Sequence, residues 1–200
     1  RVTFREQTVL KGLASLDTLC YASPYDKRGE ATKRLPKIIV LASPYASEFG
    51  FFDADTLLKA KSCGVFVVNP LRLIAGELTS EGRRNIGVIS SAEKIATGIY
   101  GTAFSRTAIR LGIKGVECTA FARDTAGSVL TSFLDSYKAE GSGKALDALV
   151  VDDCLELPSN VDSTLMKIRS VMDEEHLLYS EYLSPDFKVI STRDVTSREC

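Results

Sequence analysis

The chain has 200 residues, 44% of them apolar and 26% charged, with 25 Lys and Arg against 26 Asp and Glu for a formal net charge of −1. That composition excludes disordered, fibrous and membrane-spanning classes, and the near-zero charge gives no basic field for a phosphate backbone, so neither nucleic acid nor a membrane is an expected partner. A chain of this length buries about 70% of the surface its unfolded form exposes, enough for a core without metal or disulfide staples.

In chain order, residues 1–37 show no clear periodicity. Thr18 to Ser23 is a candidate strand, and Ser23 to Lys37, with two prolines and many charges, reads as loop. Short β-branched apolar runs then recur at Ile38 to Ala42, Val65 to Asn69, Ile86 to Ser90, Val116 to Ala120, Leu146 to Val151 and Phe187 to Ser191, the pattern of buried strands. Between them, Asp53 to Ser62, Ile95 to Leu111, Gly127 to Lys138 and Leu165 to Tyr182 place apolar residues at helical spacing. The alternation predicts an α/β fold with a mainly parallel sheet. Asn69-Pro70 ends a strand and sends the chain into a turn or helix, because the residue before proline is pushed to extended geometry. Ser80 to Asn85 is a polar, hinge-like stretch. The loop Glu140 to Lys144 lacks the features of a phosphate cradle: Lys138 stands where the first glycine of a P-loop is needed, and Ala145 replaces the Ser or Thr after the lysine.

The five cysteines, Cys20, Cys63, Cys118, Cys154 and Cys200, show no C-x-x-C spacing and signal neither a zinc site nor a disulfide framework. A reducing, cytoplasmic compartment is the simpler expectation. Residues 1–30 lack the charged, apolar and small-residue order of a signal peptide. Because the chain starts at Arg1, a mature form cut from a secreted or delivered precursor stays open.

The chemistry centres on Cys154, in the run Asp152-Asp153-Cys154-Leu155-Glu156-Leu157-Pro158 directly after the strand Leu146 to Val151. Ligands of open α/β sheets gather beyond the carboxyl ends of strands, which makes this thiol the leading candidate for a reactive group. The competing reading is a small buried side chain, the commoner fate of a cysteine. Two further segments also follow predicted strands: Leu41-Ala42-Ser43-Pro44-Tyr45-Ala46-Ser47, and Ile86-Gly87-Val88-Ile89-Ser90 leading to Thr97-Gly98-Ile99-Tyr100.

Taken in order, these three segments resemble the aspartate/glutamate racemase superfamily, which includes glutamate, aspartate and hydantoin racemases, maleate isomerase and arylmalonate decarboxylase. In that family a first strand ends in Cys-Asn-Thr-Ala, a middle Ile-Gly-Val strand leads to Ser-Gly-x-Tyr, and a later strand ends in Gly-Cys-Thr-Glu-Leu-Pro. The resemblance covers about residues 37 to 195, and residues 1–36 show no match. It implies two similar lobes, each a mainly parallel sheet flanked by helices, with a cleft between them. Residues 1–80 with 182–200 would form the first lobe and 81–181 the second. It further implies cofactor-independent proton transfer between two cysteines, one from each lobe, without metal or pyridoxal. Such chemistry needs a thiolate at neutral pH and donors that hold a substrate carboxylate.

The departures are as informative as the matches. Ser43 stands where the first cysteine is expected, Pro44 replaces the Asn and Tyr45 the Thr. A serine hydroxyl is a poor proton base, and the only histidine, His176, is distant in sequence and reads as a surface residue. In the middle loop Lys94 aligns with the usual substrate-binding Thr, and Leu155 follows Cys154 in place of another. Asp152 and Asp153 oppose thiolate formation at Cys154 unless compensated, for which Lys94 is the candidate cation. The implied site is therefore Cys154 as acid/base and Ser43 at the position of the missing thiol, with Tyr45, Ser91, Lys94, Thr97 and Glu156 as substrate contacts. The plainer readings are a strand-end hydroxyl for Ser43, a helix-positioning residue for Thr97 and Tyr100, and a solvated charge for Lys94.

Two functional classes follow. One is a catalytically impaired, racemase-like pseudoenzyme acting through binding or interaction; the other is a one-cysteine isomerase, racemase or decarboxylase using Cys154, for which arylmalonate decarboxylase is the family precedent. Compatible partners are a small carboxylate substrate, a protein partner and a second copy of the chain.

Overall fold

The computed structural model describes residues 2–23, 25, 28–122, 129–141, 143–152, 157–170 and 178–200. The chain packs into two units, Arg1–Pro70 with Glu199–Cys200, and Leu71–Arg198.

The first unit contains α1 (Val2–Ser15), β1 (Ile38–Val40), a π-helical turn (Ala46–Gly50) that runs into α2 (Phe51–Ala60), and β2 (Phe66–Val68). β1 and β2 pair in parallel with Ile39 opposite Val67. Both strands are shorter than the apolar runs that predict them. Leu41 still donates its N–H to the Val68 carbonyl at 3.0 Å, but Asn69 is buried and gives its side-chain amide to the Ser47 carbonyl at 2.7 Å. α1 occupies the stretch where periodicity was silent. Its buried positions are Thr8 and Gly12, small residues four apart, so the helix packs without an apolar stripe. It lies on the π turn and α2, with Phe4 stacked on Tyr45 at 4.9 Å between ring centroids and Arg5 paired with Asp53 at 2.6 Å. The strand expected at Thr18 to Ser23 is reduced to one antiparallel bridge, Cys20 to Glu30.

The second unit is built on four parallel strands: β3 (Asn85–Ser90), β4 (Glu117–Ala122), β5 (Leu146–Val151) and β6 (Leu183–Ser191), in the spatial order β4-β3-β5-β6. Its described helices include α3 (Pro70–Ser80), α4 (Ala92–Ile95), α5 (Ile99–Arg110), α6 (Val129–Ala139), α7 (Leu157–Ser170) and α8 (Thr192–Glu199). The mixed α/β class with parallel sheets flanked by helices is thus present. α3 starts on Pro70, whose missing N–H has no intrahelical partner in a first turn. In the structure β6 pairs with β5, Val150 opposite Ile190, which ties 182–198 to the second unit, and 71–80 falls there too.

Period-2 alternation sorts the β3 and β5 side chains into two faces. Gly87, Ile89, Leu149 and Val151 share one, and Ile89, Leu149 and Val151 pack with Phe133 and Leu134 of α6 and Val161 and Leu165 of α7. Gly87 is required by close approach: a Cβ there would sit 2.5 Å from Phe133 Cζ and 3.0 Å from Leu149 Cδ1. The other face carries Ile86, Val88, Ala148 and Val150, all fully buried. One predicted helix, Ile95 to Leu111, is broken in two, since Gly98 adopts φ +66°, a left-handed conformation that interrupts the helix and opens α5. α8 escaped prediction because among its residues only Val195 is buried. Among the described residues no helix is long and apolar enough to cross a membrane.

Candidate functional site

In the order β4-β3-β5-β6, the chain leaves β3 first to one side and later resumes on the other at β5, so the carboxyl ends of β3 and β5 form a topological switch point. Two apolar strands turn polar there in the same register. Ile89 lies opposite Val151, the Asp152 N–H continues the ladder to the Ile89 carbonyl at 3.0 Å, and Ser90 and Asp152 therefore emerge side by side. Both are buried, Ser90 to 1% exposure and Asp152 to 6%.

A buried carboxylate is costly unless several donors surround it, and among the described residues three side chains reach it. Tyr100, in the first turn of α5 and itself buried, donates its hydroxyl to Asp152 Oδ2. Its oxygen also lies 2.7 Å from Ser90 Oγ. The phenol and the serine hydroxyl have one proton each, so with Asp152 taking the phenol's, the Ser90 proton goes either to the Tyr100 oxygen or to Asp152 Oδ2. Ser90 Oγ stands 3.4 Å from the same carboxylate oxygen, and Lys94 Nζ, from α4, stands 3.5 Å away as its counter-ion. The two charged side chains keep 17% and 9% of their accessible surface, so the pair is largely desolvated, with Lys94 the more open member. The left-handed Gly98 makes this possible by ending the turn after α4 and restarting the helix that carries Tyr100.

The predicted site residues divide between the units. Ser43 and Tyr45 belong to the first. Ser43 is exposed after β1 and its carbonyl accepts the Ser47 N–H at 2.9 Å, while the Tyr45 ring is covered by Phe4. Ser91, Lys94 and Thr97 share the α4 turn of the second unit. The Ser91 carbonyl accepts the Ile95 N–H at 3.1 Å, and Thr97, exposed, donates its hydroxyl to the Lys94 carbonyl at 2.5 Å. Of these three side chains, Lys94 is the one seen joined to the strand-end cluster. Cys154 and Glu156 lie outside the described residues, as does His176.

Ser90, Tyr100 and Asp152 were not named as site residues from sequence. The available signal was the shared switch from apolar to polar at Ile89-Ser90 and Val151-Asp152, legible once the two strands are set in register. At the opposite end of the sheet the polar groups are structural. Asp147 accepts the N–H groups of Arg84 and Asn85 at 2.8 and 2.9 Å, and Asn85 donates to the Tyr137 hydroxyl at 2.6 Å. Within the second unit Cys118 lies opposite Ile86, towards the start of β3 and away from its polar end. Cys118 on β4 has a desolvated thiol, pushed by burial up to about 12. Among the described residues no group of three His, Cys, Asp or Glu is placed to hold a metal ion.

No family model and no curated protein sequence matches the chain. Solved structures similar to it include glutamate racemase isoform RacE1 from Bacillus anthracis, at 14% identity over 98% of this chain and 75% of that one, with a TM-score of 0.46. Another is glutamate racemase from Francisella tularensis in complex with D-glutamate, at 16% identity over 96% of this chain and 88% of that one, with a TM-score of 0.43.

Proposed function

We propose that the chain is a divergent racemase-like α/β protein that does not perform two-base racemisation and acts by binding, with a small carboxylate as the ligand class. The observation that carries this reading is the exposed Ser43 after β1, where the sequence motif calls for a thiol. Removing an α-proton on one face and returning it on the other requires two groups that titrate near neutral pH. A serine hydroxyl meets that requirement only beside an activating base, and the chain's single histidine is not near it in sequence. Pro44 adds a second loss, because it has no backbone N–H to offer a carboxylate.

A second reading, single-cysteine proton transfer or decarboxylation at Cys154, is favoured by the Ser90–Tyr100–Asp152–Lys94 cluster, whose Asp152 lies two residues earlier in the chain. One experiment separates the two. The protein and its Cys154→Ser variant are incubated with L-aspartate, L-glutamate and aryl- and alkyl-malonates in deuterated water, and proton NMR follows α-deuterium incorporation and loss of carbon dioxide. Binding without turnover supports the first reading. Turnover that disappears in Cys154→Ser replaces it with the second.

A further inference from the structure

We infer that Asp152 is an internal counter-ion that sets the anion affinity of the strand-end site, by occupying the ammonium group that would otherwise recognise a carboxylate. The inference rests on the reading that this end of the sheet is where a small carboxylate binds, and it names the residue that limits that binding.

Three observations converge on it. The switch point between β3 and β5 is where an open parallel sheet offers a ligand site, and Lys94 is the described cation whose ammonium reaches the polar strand ends there. That ammonium faces Asp152 Oδ2 at 3.5 Å with both side chains largely out of solvent, so water does little to screen the pair. Asp152 is in turn held in place by the Tyr100 hydroxyl, by Ser90 Oγ at 3.4 Å and by its own N–H on the Ile89 carbonyl at 3.0 Å, which leaves the carboxylate little freedom to swing away. An incoming anion therefore competes with a fixed carboxylate of the same charge for one ammonium. It also meets the repulsion of that carboxylate across a desolvated gap. Lys94, on the short helix α4 and the more exposed partner, is the member that can turn towards a ligand. Asp152 and Lys94 together carry no net charge, and removing the carboxylate leaves the ammonium's positive charge uncompensated by Asp152. Tyr100 and Ser90 are then positioning residues, acting on the ligand only through Asp152.

The test uses malonate as the probe, titrated into the full chain by isothermal calorimetry at low ionic strength and again at 0.5 M salt. Asp152→Asn keeps the shape and a hydrogen-bond acceptor for Tyr100 while deleting the charge. It is expected to bind malonate at least tenfold tighter than the wild type, with the gain shrinking at high salt. In the double variant Asp152→Asn with Lys94→Met the affinity is expected to return to the wild-type level. A structural effect of Asp152 alone would not depend on Lys94 in this way. Should Asp152→Asn fail to fold, Asp152→Ser serves in its place, since it retains a hydroxyl for Tyr100. Affinity no higher than wild type in the charge-deleted variant, or a gain that survives loss of Lys94, overturns the inference. Turnover in the isotope experiment would overturn the binding-only function while leaving this charge competition to be decided by the titration.

Discussion

Replacing Tyr100 by Phe removes one oxygen from the centre of the strand-end cluster and leaves the ring in place. The residue is 1% exposed and its hydroxyl bonds Asp152, itself 6% exposed, so the lost interaction is a buried hydrogen bond to a charged group. Such bonds contribute about 1.5–3 kcal/mol. Among the described residues, the other groups facing that oxygen are farther away, Ser90 Oγ at 3.4 Å and Lys94 Nζ at 3.5 Å. The expected cost is about 2 kcal/mol, which for a chain of this size lowers the melting temperature by about 4–8 °C. The assay is urea unfolding followed by far-UV circular dichroism, since the chain has no tryptophan. The midpoint should fall with the slope unchanged. Ser90→Ala should cost less, about 1 kcal/mol, because its short contact, at 2.7 Å, is with the uncharged Tyr100 hydroxyl and its contact with the carboxylate is long. Stability of Tyr100→Phe within about 0.5 kcal/mol of wild type would refute the cluster as an energetically coupled unit.

Gly87→Ala forces a methyl group against Phe133 and Leu149 and should destabilise the second unit by about 1–3 kcal/mol, measured by the same unfolding curves. Glu77 is paired with Lys188 at 2.7 Å and Arg198 at 2.8 Å. Burial alone would raise its pKa, but the bonds and charges of these two partners outweigh it and hold the carboxyl below its usual range. Its contribution is therefore present above the unfolded value of about 4.3 and lost as pH falls through the lower folded value. The stability difference between wild type and Glu77→Gln should shrink towards zero as pH drops below about 4. Iodoacetamide at pH 8, followed by peptide mass spectrometry, should label the exposed Cys20 and Cys200 and spare Cys118, whose thiol burial pushes up to about 12; rapid native labelling of Cys118 would contradict that placement.

The sheet was legible because its central strands, β3 and β5, are buried on both faces. Leu146 to Val151 matched residue for residue, and the others shifted by a few positions at ends where hydrogen bonding rather than hydropathy sets the limit. What escaped was structure whose packing does not use large apolar groups: α1 on Thr8 and Gly12, α8 on Val195 alone, and the break at Gly98 that a continuous apolar period hides. The site was half legible for a similar reason. Lys94 stood out as a departure from a motif, but its partner Asp152 was read as a charge opposing a thiol. The pairing depends on strand register, which no local pattern encodes.

The most direct test of the claim that this chain has left two-base racemisation is to start separately from L-glutamate and D-glutamate in deuterated water and resolve the products on a chiral column with mass detection. A racemase delivers the opposite enantiomer carrying one solvent deuteron from either start. The chain described here should return each enantiomer unlabelled and uninverted after prolonged incubation, and deuterated product of inverted configuration, absent in Ser43→Ala, would contradict it.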